Sequence, residues 1–528
     1  MRKTVFLRAV SVLALLSLHA VLYAHDFSFQ DDEPVMEAQR VINIISSEFS
    51  YDLNPHTAAY SSEAQILTGL YEGLFSYDPV SLDPLPALCS SYKISRDKKR
   101  WTFTLRGDCT FSDGSPITAQ TFRDSWISLL SEPAATFAGL LDCVQGAEDF
   151  RTGKTTQDKV RIEVRNQTTL VVHLTQPAEH LPRILCHHAF SAVSPKSGVY
   201  SGAFVLDTYD GSELIMKKNE RYRDAQNVHV PGIRILQSDN EEENTYLFNT
   251  GKADWVSSGV EASKILNQGA VHVSAEFGTS FIFLKTNHSP WNIKEFREAL
   301  LEAIPYETLR EIYPVKASTL VYPLAGYPSV NGIDDYDAED AQFLMKEARE
   351  KAGIKPEERL TLVFAIYDGD YLKNMAELLK DAWAPLGVDL VTQSTPFSRY
   401  NASIPGWNAD IFSYSWIGDF ADPLAFLELF RSGSSLNVSG YSNPSYDALL
   451  KQAAEANGKN EHYRFLSEAE QILLDDCVII PVYHPVTLHV IDSRSVGGWQ
   501  SNALDLHPLK YLYIKKSPSV RLPNIVMN

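Results

Sequence analysis

Cysteine is scarce in this sequence. Five cysteines among 528 residues are too few for a disulfide-rich scaffold and too widely spaced for a zinc motif. They are Cys89, Cys109, Cys143, Cys186 and Cys477. An exported chain can still form a single bridge, and Cys89 and Cys109 flank a predicted hairpin that brings their backbones near one another. We therefore expect a disulfide between these two residues.

Basic residues are outnumbered. Lys and Arg total 47 against 66 Asp and Glu, so the formal net charge is −19. A charge of this sign opposes binding to nucleic acid and to anionic membrane surfaces. It is compatible with cationic ligands, although an acidic, solvated surface is the simpler explanation. We expect no nucleic-acid partner.

Long hydrophobic runs are missing beyond the N-terminus. Residues 9–22 form an apolar run of about 14 residues, which is short for a membrane-spanning helix. Three basic residues precede the run, and this order is typical of a secretory signal. We expect a signal peptide over residues 1–24 that is cleaved after Ala24, with Ala20 as the alternative site and an uncleaved anchor as the alternative outcome. No cysteine follows directly, so we expect a periplasmic protein without a lipid anchor.

Short motifs of common enzymes are also missing. The sequence contains no phosphate loop, dinucleotide glycine fingerprint, His-Glu-x-x-His or Gly-x-Ser-x-Gly. The most suggestive metal cluster is Cys186, His187 and His188, but consecutive side chains project in different directions and cannot all reach one ion. We expect no metal, no cofactor and no catalytic residues, so this chain is predicted not to be an enzyme.

What remains is the composition of a globular chain, 44% apolar and 21% charged, long enough for two or three domains. After residue 281 the pattern alternates between helix and strand: the spacing predicts a helix over 338–352, ended by Gly353, and a strand over 360–366. This indicates an α/β fold. A final predicted strand at 511–514 is placed to return to an early sheet, which would make that domain discontinuous.

The stretch 413–431 joins an apolar strand to an apolar helix through a turn with two aspartates. Asp422 precedes Pro423, and a short polar residue before proline is a helix-start signature, so Asp422 is predicted to cap the helix. That leaves Asp419 without a structural task. A carboxylate facing a closed cavity needs a cationic partner, and the identity of that cation is the central question.

Several phrases, read in order, resemble one family. Residues 101–119 read Trp-Thr-Phe-Thr-Leu-Arg-Gly-Asp-Cys-Thr-Phe-Ser-Asp-Gly-Ser-Pro-Ile-Thr-Ala. The segments 71–74, 289–292 and 479–483 follow in the expected order. Together they are similar to the extracytoplasmic solute-binding proteins, family 5, of peptide and nickel ABC transporters. The resemblance covers essentially the whole chain after the signal segment.

The resemblance implies a type II periplasmic-binding clamshell of three α/β domains. One discontinuous lobe, lobe I, would comprise 25–71, 192–278 and 490–528. An inserted domain II would span 72–191, and the opposing lobe III would span 279–489. The implied function is to bind an extended peptide between the lobes and to deliver it to an ABC permease in the inner membrane, as a monomer.

The resemblance also assigns ligand-binding positions. Asp419 would pair with the α-ammonium group of the peptide, and backbone groups of Ser415 and Ile417 would bind its first residues. Ser61 would contribute from the facing lobe. The remaining positions expected to line the cleft are Trp416, Phe397, Asn437 and Tyr483.

Two departures from the family keep other cargoes open. Leu372, Ile404 and Ser413 stand where basic groups for a peptide carboxylate are expected, and none can be charged. Gly278 and Ile417 occupy the places of a family cysteine pair. The alternatives are a modified or cell-wall peptide, a nickel chelate or haem on the same fold, or an envelope chaperone or enzyme.

Overall fold

The strands and helices below come from a computed structural model, which describes residues 40–515 apart from Glu179, Asp419, Ala421 and Asn457. The predicted signal peptide over 1–24 lies outside the described residues, as do the two ends of the predicted lobe I, 25–39 and 516–528. No helix within the described part of the chain is long and apolar enough to span a membrane.

Twenty strands are described, numbered in chain order. They are β1 (Ile42–Ser46), β2 (Phe75–Tyr77), β3 (Pro84–Pro86), β4 (Cys89–Ile94), β5 (Arg100–Leu105), β6 (Ile162–Asn166), β7 (Thr169–His173), β8 (Phe204–Tyr209), β9 (Glu213–Lys218), β10 (Gly232–Gln237), β11 (Trp255–Val256), β12 (Val271–Ala275), β13 (Gly278–Leu284), β14 (Leu360–Tyr367), β15 (Val388–Thr395), β16 (Ile411–Ile417), β17 (Ile479–Tyr483), β18 (Val486–Ile491), β19 (Val496–Gly497) and β20 (Tyr513–Ile514).

The α-helices of the described residues pack around these strands. They are α1 (Ser61–Leu70), α2 (Ala119–Ser131), α3 (Ala147–Arg151), α4 (Leu181–Ile184), α5 (Glu241–Asn249), α6 (Lys294–Glu302), α7 (Tyr306–Leu309), α8 (Ala338–Ala352), α9 (Asp370–Trp383), α10 (Phe397–Ser403), α11 (Leu424–Leu427), α12 (Pro444–Glu455) and α13 (Lys459–Asp475). Helix α8 has the predicted bounds, and Gly353 ends it in the left-handed conformation with φ 69°.

Three large sheets organise the described residues. A seven-stranded sheet has the order β12-β18-β11-β1-β10-β9-β8, a four-stranded sheet β4-β5-β7-β6, and a five-stranded sheet β15-β14-β16-β13-β17. The seven-stranded and five-stranded sheets contain both parallel and antiparallel pairs, whereas the four-stranded sheet is antiparallel. Together with the helices they confirm the predicted α/β class. The strands of each sheet fall within one predicted domain, except β18, which begins shortly before the predicted lobe I segment at 490, and β13, whose first residue, Gly278, is the last of a predicted lobe I segment. The domain boundaries themselves stay predictions.

The chain passes between the seven-stranded and the five-stranded sheets twice. One passage lies between β12 and β13, and the other between β17 and β18. Strand β13 starts at the first passage and has all seven residues buried, as expected of a central strand with both faces covered. These two short passages, 276–277 and 484–485, form the hinge between the two sheets.

The last strand differs from its prediction. Strand β20 pairs with β19 in a separate two-stranded sheet and does not join the early sheet. The reason is packing, because Leu512 and Ile514 bury their side chains in the same core as Ile42 and Ile44 without sharing their ladder. The end of the chain is therefore joined to the first strand by apolar contact.

The predicted disulfide between Cys89 and Cys109 is wrong, because all five cysteines are free thiols. Cys89 faces Leu105 in the ladder between β4 and β5, and its Sγ donates to the carbonyl of Ser91 at 3.1 Å. Cys109 lies beyond the ladder, where its carbonyl accepts from the amide of Ile117 at 3.0 Å. Flanking a hairpin did not bring the two thiols together.

We expect five reactive thiols per chain when the protein is denatured without reductant and titrated with a thiol reagent. The physical reason is that all five are free, so denaturation exposes each thiol to the reagent. In the folded protein, burial raises the pKa of Cys89 and of Cys109 to about 11, which keeps both thiols protonated and slow to react. A fully reduced sample serves as the control. Three thiols in the unreduced sample would contradict the structure.

A buried carboxyl group ties a loop to helix α13. The side chain of Glu470 is fully buried and accepts hydrogen bonds from the amide of Val321 and from the hydroxyl of Tyr327, each at 2.8 Å. Burial raises the pKa of Glu470 to about 7, although these donors lower it. The protonated form is therefore favoured in the folded protein relative to the unfolded chain.

This shift predicts a pH dependence of stability. The contribution of Glu470 is full below the unfolded pKa of 4.5 and is lost as the pH rises through about 7. Between pH 4 and pH 8 the free energy of unfolding of the wild type should fall by roughly 3 kcal/mol relative to that of Glu470→Gln. Urea unfolding of both proteins across this range measures the difference, and parallel curves would refute the assignment.

Candidate functional site

Strand β16 has a partly open edge. Strand β13 pairs with it along all seven residues, from Gly278 opposite Ile417 to Leu284 opposite Ile411. On its other side, β14 pairs only with Ile411 and Phe412, so strand pairing on that side stops at Phe412 within the described residues. An edge of this kind can add one more extended chain by backbone hydrogen bonds.

The predicted residues on this strand point in alternating directions. Ser415 is exposed and lies opposite Ser280, which is also opposite Tyr483 on β17. Directly paired residues share one face of a sheet, so Ser415 and Tyr483 lie on the same face. Trp416 is buried, and its indole Nε1 donates to the carbonyl of Ala425 at 2.9 Å. Its role in the described structure is to hold the strand against α11.

A group of tyrosines extends this face. The ring of Tyr483 stacks on that of Tyr313 with 3.9 Å between centroids and an angle of 7°. Burial raises the pKa of Tyr483, and burial together with the charges of Tyr483 and Tyr313 raises that of Tyr367. Tyr483, which is predicted to line the cleft, and the nearby Tyr367 therefore keep neutral hydroxyl groups.

Ser61 and Phe397 come from opposite lobes and meet through a neighbour. Ser61 begins α1 and is exposed, and the hydroxyl of the preceding Tyr60 donates to the carbonyl of Phe397 at 3.0 Å. The rings of Tyr60 and Phe397 lie 5.2 Å apart, and Phe49 adds a third ring. Burial raises the pKa of Tyr60 to about 12, so its hydroxyl stays protonated and remains a donor. The lobes are in direct contact here.

Asn437 is engaged within its own loop. Its Nδ2 donates to the carbonyls of Arg431 and Tyr441, at 3.1 and 2.8 Å, and its Oδ1 accepts from the hydroxyl of Ser439 at 2.8 Å. The described structure therefore gives Asn437 the role of bracing the loop. Its predicted contact with a ligand stays a prediction.

The three uncharged positions noted in the sequence are buried. Leu372 and Ile404 are each 1% exposed and belong to apolar cores, and Ser413 is 5% exposed. The carbonyl of Ser413 accepts from the hydroxyl of Tyr400 at 2.8 Å. None of these three residues supplies a charge for a ligand carboxylate.

Asp419 lies outside the described residues, but the residues beside it are placed. The amide of Gly418 donates to the carbonyl of the hinge residue Phe277 at 2.8 Å. A Cβ at Gly418 would approach the Phe277 ring within 2.6 Å, so only glycine fits there. Asp422 accepts from the amide of Leu424 at 2.9 Å, so its side chain binds a backbone amide at the start of α11, although Pro423 and not Asp422 occupies the N-cap position. The turn is therefore held on both sides of Asp419.

The structure brings together a histidine cluster that the sequence did not predict. Within the described residues, one group could hold a metal ion: His489, Asp505 and His507. His489 Nδ1 accepts from the indole Nε1 of Trp255 at 3.1 Å, so its Nε2 carries the proton and donates to Asp505 Oδ1 at 2.7 Å. That atom has no lone pair to offer a metal. The arrangement is a hydrogen-bonded cluster beside the hinge. The sequence did not predict it because His489 is separated from Asp505 and His507 along the chain.

The metal cluster weighed in the sequence does not converge. Cys186 Sγ donates to the carbonyl of Pro182 at 3.3 Å, whereas His187 Nδ1 accepts from the amide of Ala189 at 3.3 Å. Burial lowers the pKa of His188 to about 3. These side chains pack in the interior as separate neutral groups.

The fold and the site define a solute-binding protein with two lobes and an open strand edge between them. Comparison with known families agrees, since the model of the bacterial extracellular solute-binding proteins, family 5 Middle, matches residues 83–437. The chain belongs to this family, as the sequence resemblance predicted. It is a family of binding proteins.

Relatives match over nearly the whole length. The dipeptide-binding protein DppE of Bacillus subtilis is 24% identical over 515 residues, covering 92% of this chain and 93% of that protein. Among solved structures, Haemophilus influenzae OppA in complex with RPPGFSPFR superposes with a TM-score of 0.80 at 22% identity, covering 91% of this chain and 100% of the other.

Two structures of one relative bear on the arrangement of the lobes. The murein tripeptide binding protein MppA of Escherichia coli has a TM-score of 0.79 at 25% identity, covering 91% of this chain and 100% of its own. Its unliganded open form has a TM-score of 0.63 at the same identity, with 92% and 99% covered. These neighbours confirm the predicted clamshell fold.

We expect Trp416→Phe to lower the free energy of unfolding by about 1–3 kcal/mol, because the buried carbonyl of Ala425 loses its donor. Trp407→Phe is the matched control, since Trp407 Nε1 donates at the surface to the side chain of Gln393. Urea unfolding should show a smaller loss for the control. Equal losses would argue against the anchoring role of Trp416.

Proposed function

We propose that this chain is the substrate-binding component of an ABC importer, which binds oligopeptides in extended form between its lobes and delivers them to a permease in the inner membrane. The observation that carries the proposal is the edge of β16 at Ser415 and Ile417, where strand pairing stops on one side. Every peptide has the backbone groups that such an edge pairs with. The names of the relatives, which are peptide-binding proteins, support this cargo.

The binding mode follows from the positions around that edge. Backbone groups of Ser415 and Ile417 bind the first residues of the peptide, while Ser61 and Phe397 approach from either side of the lobe contact. Tyr483 offers a neutral aromatic wall. Water bridging between such walls and the ligand accommodates different side chains, which suits broad specificity.

Asp419 pairs with the α-ammonium group of the peptide. The turn that carries it is tied to the hinge through Gly418 and to α11 through Asp422, which supports a preorganised position. Because no basic side chain stands at Leu372, Ile404 or Ser413, the carboxyl end of the peptide is bound without an ion pair at these positions.

Peptides fit the site better than the other cargoes weighed. A nickel chelate or haem does not present the run of backbone donors and acceptors that an open strand edge recognises. The protein is exported to the periplasm by its signal peptide over 1–24 and acts as a monomer. Its three domains are those expected from the sequence.

The role of Asp419 is testable by calorimetry on protein that has been unfolded and refolded to remove bound solute. Asp419→Ala should weaken the binding of free tri- to nonapeptides at least tenfold, because a charge-assisted contact to the ammonium group is lost. The wild type should bind N-acetylated forms of the same peptides as weakly as Asp419→Ala binds the free peptides. Asp422→Asn, which keeps the capping oxygen, is the matched control.

Two results would count against this assignment. An affinity of Asp419→Ala equal to that of the wild type would remove Asp419 from the site. Equal affinity of the wild type for free and N-acetylated peptides would show that the ammonium group is not recognised.

A further inference from the structure

Domain II and lobe III contact each other through residues outside the hinge. The contact joins residues 136–151 of domain II to residues 431–435 of lobe III, almost 300 positions apart in the chain. We refer to this contact as the latch. Its residues are Gly139, Asp142 and Arg151 on one side and Arg431, Gly433 and Ser435 on the other.

One half of the latch is a close backbone approach. The hydroxyl of Ser435 accepts from the amide of Gly139 at 2.9 Å and lies 3.2 Å from the carbonyl of Thr136, to which it donates. A Cβ added at Gly139 would lie 2.4 Å from Ser435 Oγ, and the three heavy atoms nearest to it all belong to Ser435. Gly139 is therefore small because of lobe III and not because of its own domain.

The other half is a shared carboxylate. Asp142 has a side chain 5% exposed, and its Oδ2 lies 2.6 Å from Nη2 of Arg151 and 3.2 Å from Nη2 of Arg431. Arg151 also donates to the carbonyl of Gly433 at 3.2 Å. Two guanidinium groups, one from each side, thus hold one buried carboxylate. Separating the sides would break the contact between Asp142 and Arg431, whereas Asp142 would keep Arg151 and Arg431 would keep Glu428.

No chain segment within the latch connects domain II to lobe III. The chain enters and leaves lobe III only through the hinge, and domain II is joined to lobe I. Buried Glu72 pairs with Arg223 at 2.6 Å and with Lys510 at 3.1 Å, and Lys510 donates to Ser76 at 2.7 Å. Domain II is thereby bound to lobe I, so a rotation of lobe III about the hinge must break the latch.

The comparison structures differ in the same sense. This chain is nearer to one MppA structure, with a TM-score of 0.79, than to the unliganded open form, with 0.63, at equal sequence identity. The latch described here therefore belongs to an arrangement other than the open one.

We propose that domain II acts as the closing partner of lobe III, and that the latch between Gly139, Asp142 and Arg151 and Arg431, Gly433 and Ser435 holds the closed conformation. The latch then acts together with the other contacts between the two sides, which include Tyr60 with Phe397 and the ring contact of Phe137 with Trp416. The latch adds to whatever the solute contributes and does not depend on which solute is bound.

Two substitutions in the full chain, one on each side of the latch, test this proposal. Gly139→Ala inserts a methyl group into the latch, while Ser435→Gly removes the atoms that it meets. Gly406→Ala is the matched control, because a Cβ at Gly406 meets nothing within 4 Å. Spin labels on Lys154→Cys and Lys373→Cys, whose native side chains are 64% and 61% exposed, report the distance between domain II and lobe III by pulsed electron resonance.

The measurement is made on solute-free protein, with an unlabelled-site sample to correct for the native thiols. We expect the short distance to dominate in the wild type and in Gly406→Ala, and the ratio of open to closed protein to rise at least fivefold in Gly139→Ala. Ser435→Gly by itself should also raise this ratio, because it removes the hydrogen bonds to the amide of Gly139 and to the carbonyl of Thr136.

Three results would overturn the proposal. They are an open wild type, an unchanged distance distribution in Gly139→Ala, and an unchanged distance distribution in Ser435→Gly, since the last would place the effect of Gly139→Ala inside domain II. None of these results tests Asp419 or peptide binding, so the latch can be refuted without refuting the proposed function, and the reverse also holds.

Discussion

The rest of this structure depends on the backbone of one hinge residue, Phe277. Its amide donates to the carbonyl of Ala503 at 2.6 Å in lobe I, and its carbonyl accepts from the amide of Gly418 at 2.8 Å in lobe III. The two lobes and the turn beside the site are therefore connected through the backbone of a single residue. The adjacent Glu276 carboxyl is buried, and burial and the charge of Asp505 raise its pKa to about 8. This passage of the hinge is consequently tightly bonded and holds a carboxyl group that is protonated at neutral pH.

The edge of β16 that is proposed to bind the peptide exists because β13 pairs along more of β16 than β14 does. Strand β13 covers β16 completely, whereas β14 leaves it after Phe412. An open edge on a protein surface invites association with other chains, but between two lobes it is sheltered. The contact of Tyr60 with Phe397 brings the opposite lobe close to that edge. The unpaired part of β16 is thus available to pair with the proposed peptide ligand and is shielded from association with other chains.

Charge is distributed unequally around the cleft. The positions where the family has basic groups are occupied by buried, uncharged side chains, and tyrosines surround Tyr483. An ion pair between domain II and lobe III lies instead at the latch, where Asp142 contacts Arg431. The latch residues therefore differ from the residues proposed to bind the solute.

The sequence by itself determined the local features and the family. Helix α8 with its terminal Gly353, and the hydrogen bond from the amide of Leu424 to Asp422, depend on residues within a few positions of one another. The motif phrases placed the chain in its family because each keeps its order along the sequence. Such signals need no knowledge of what packs against them.

Only the tertiary structure decided what distant residues do. Cys89 and Cys109 stay apart because the chain turns away after the ladder, and β20 joins a small sheet because core packing places it there. The bracing role of Asn437, the cluster around Asp505 and the latch each join segments through side-chain direction and burial. These quantities arise when sheets and lobes pack together, and a linear pattern does not contain them.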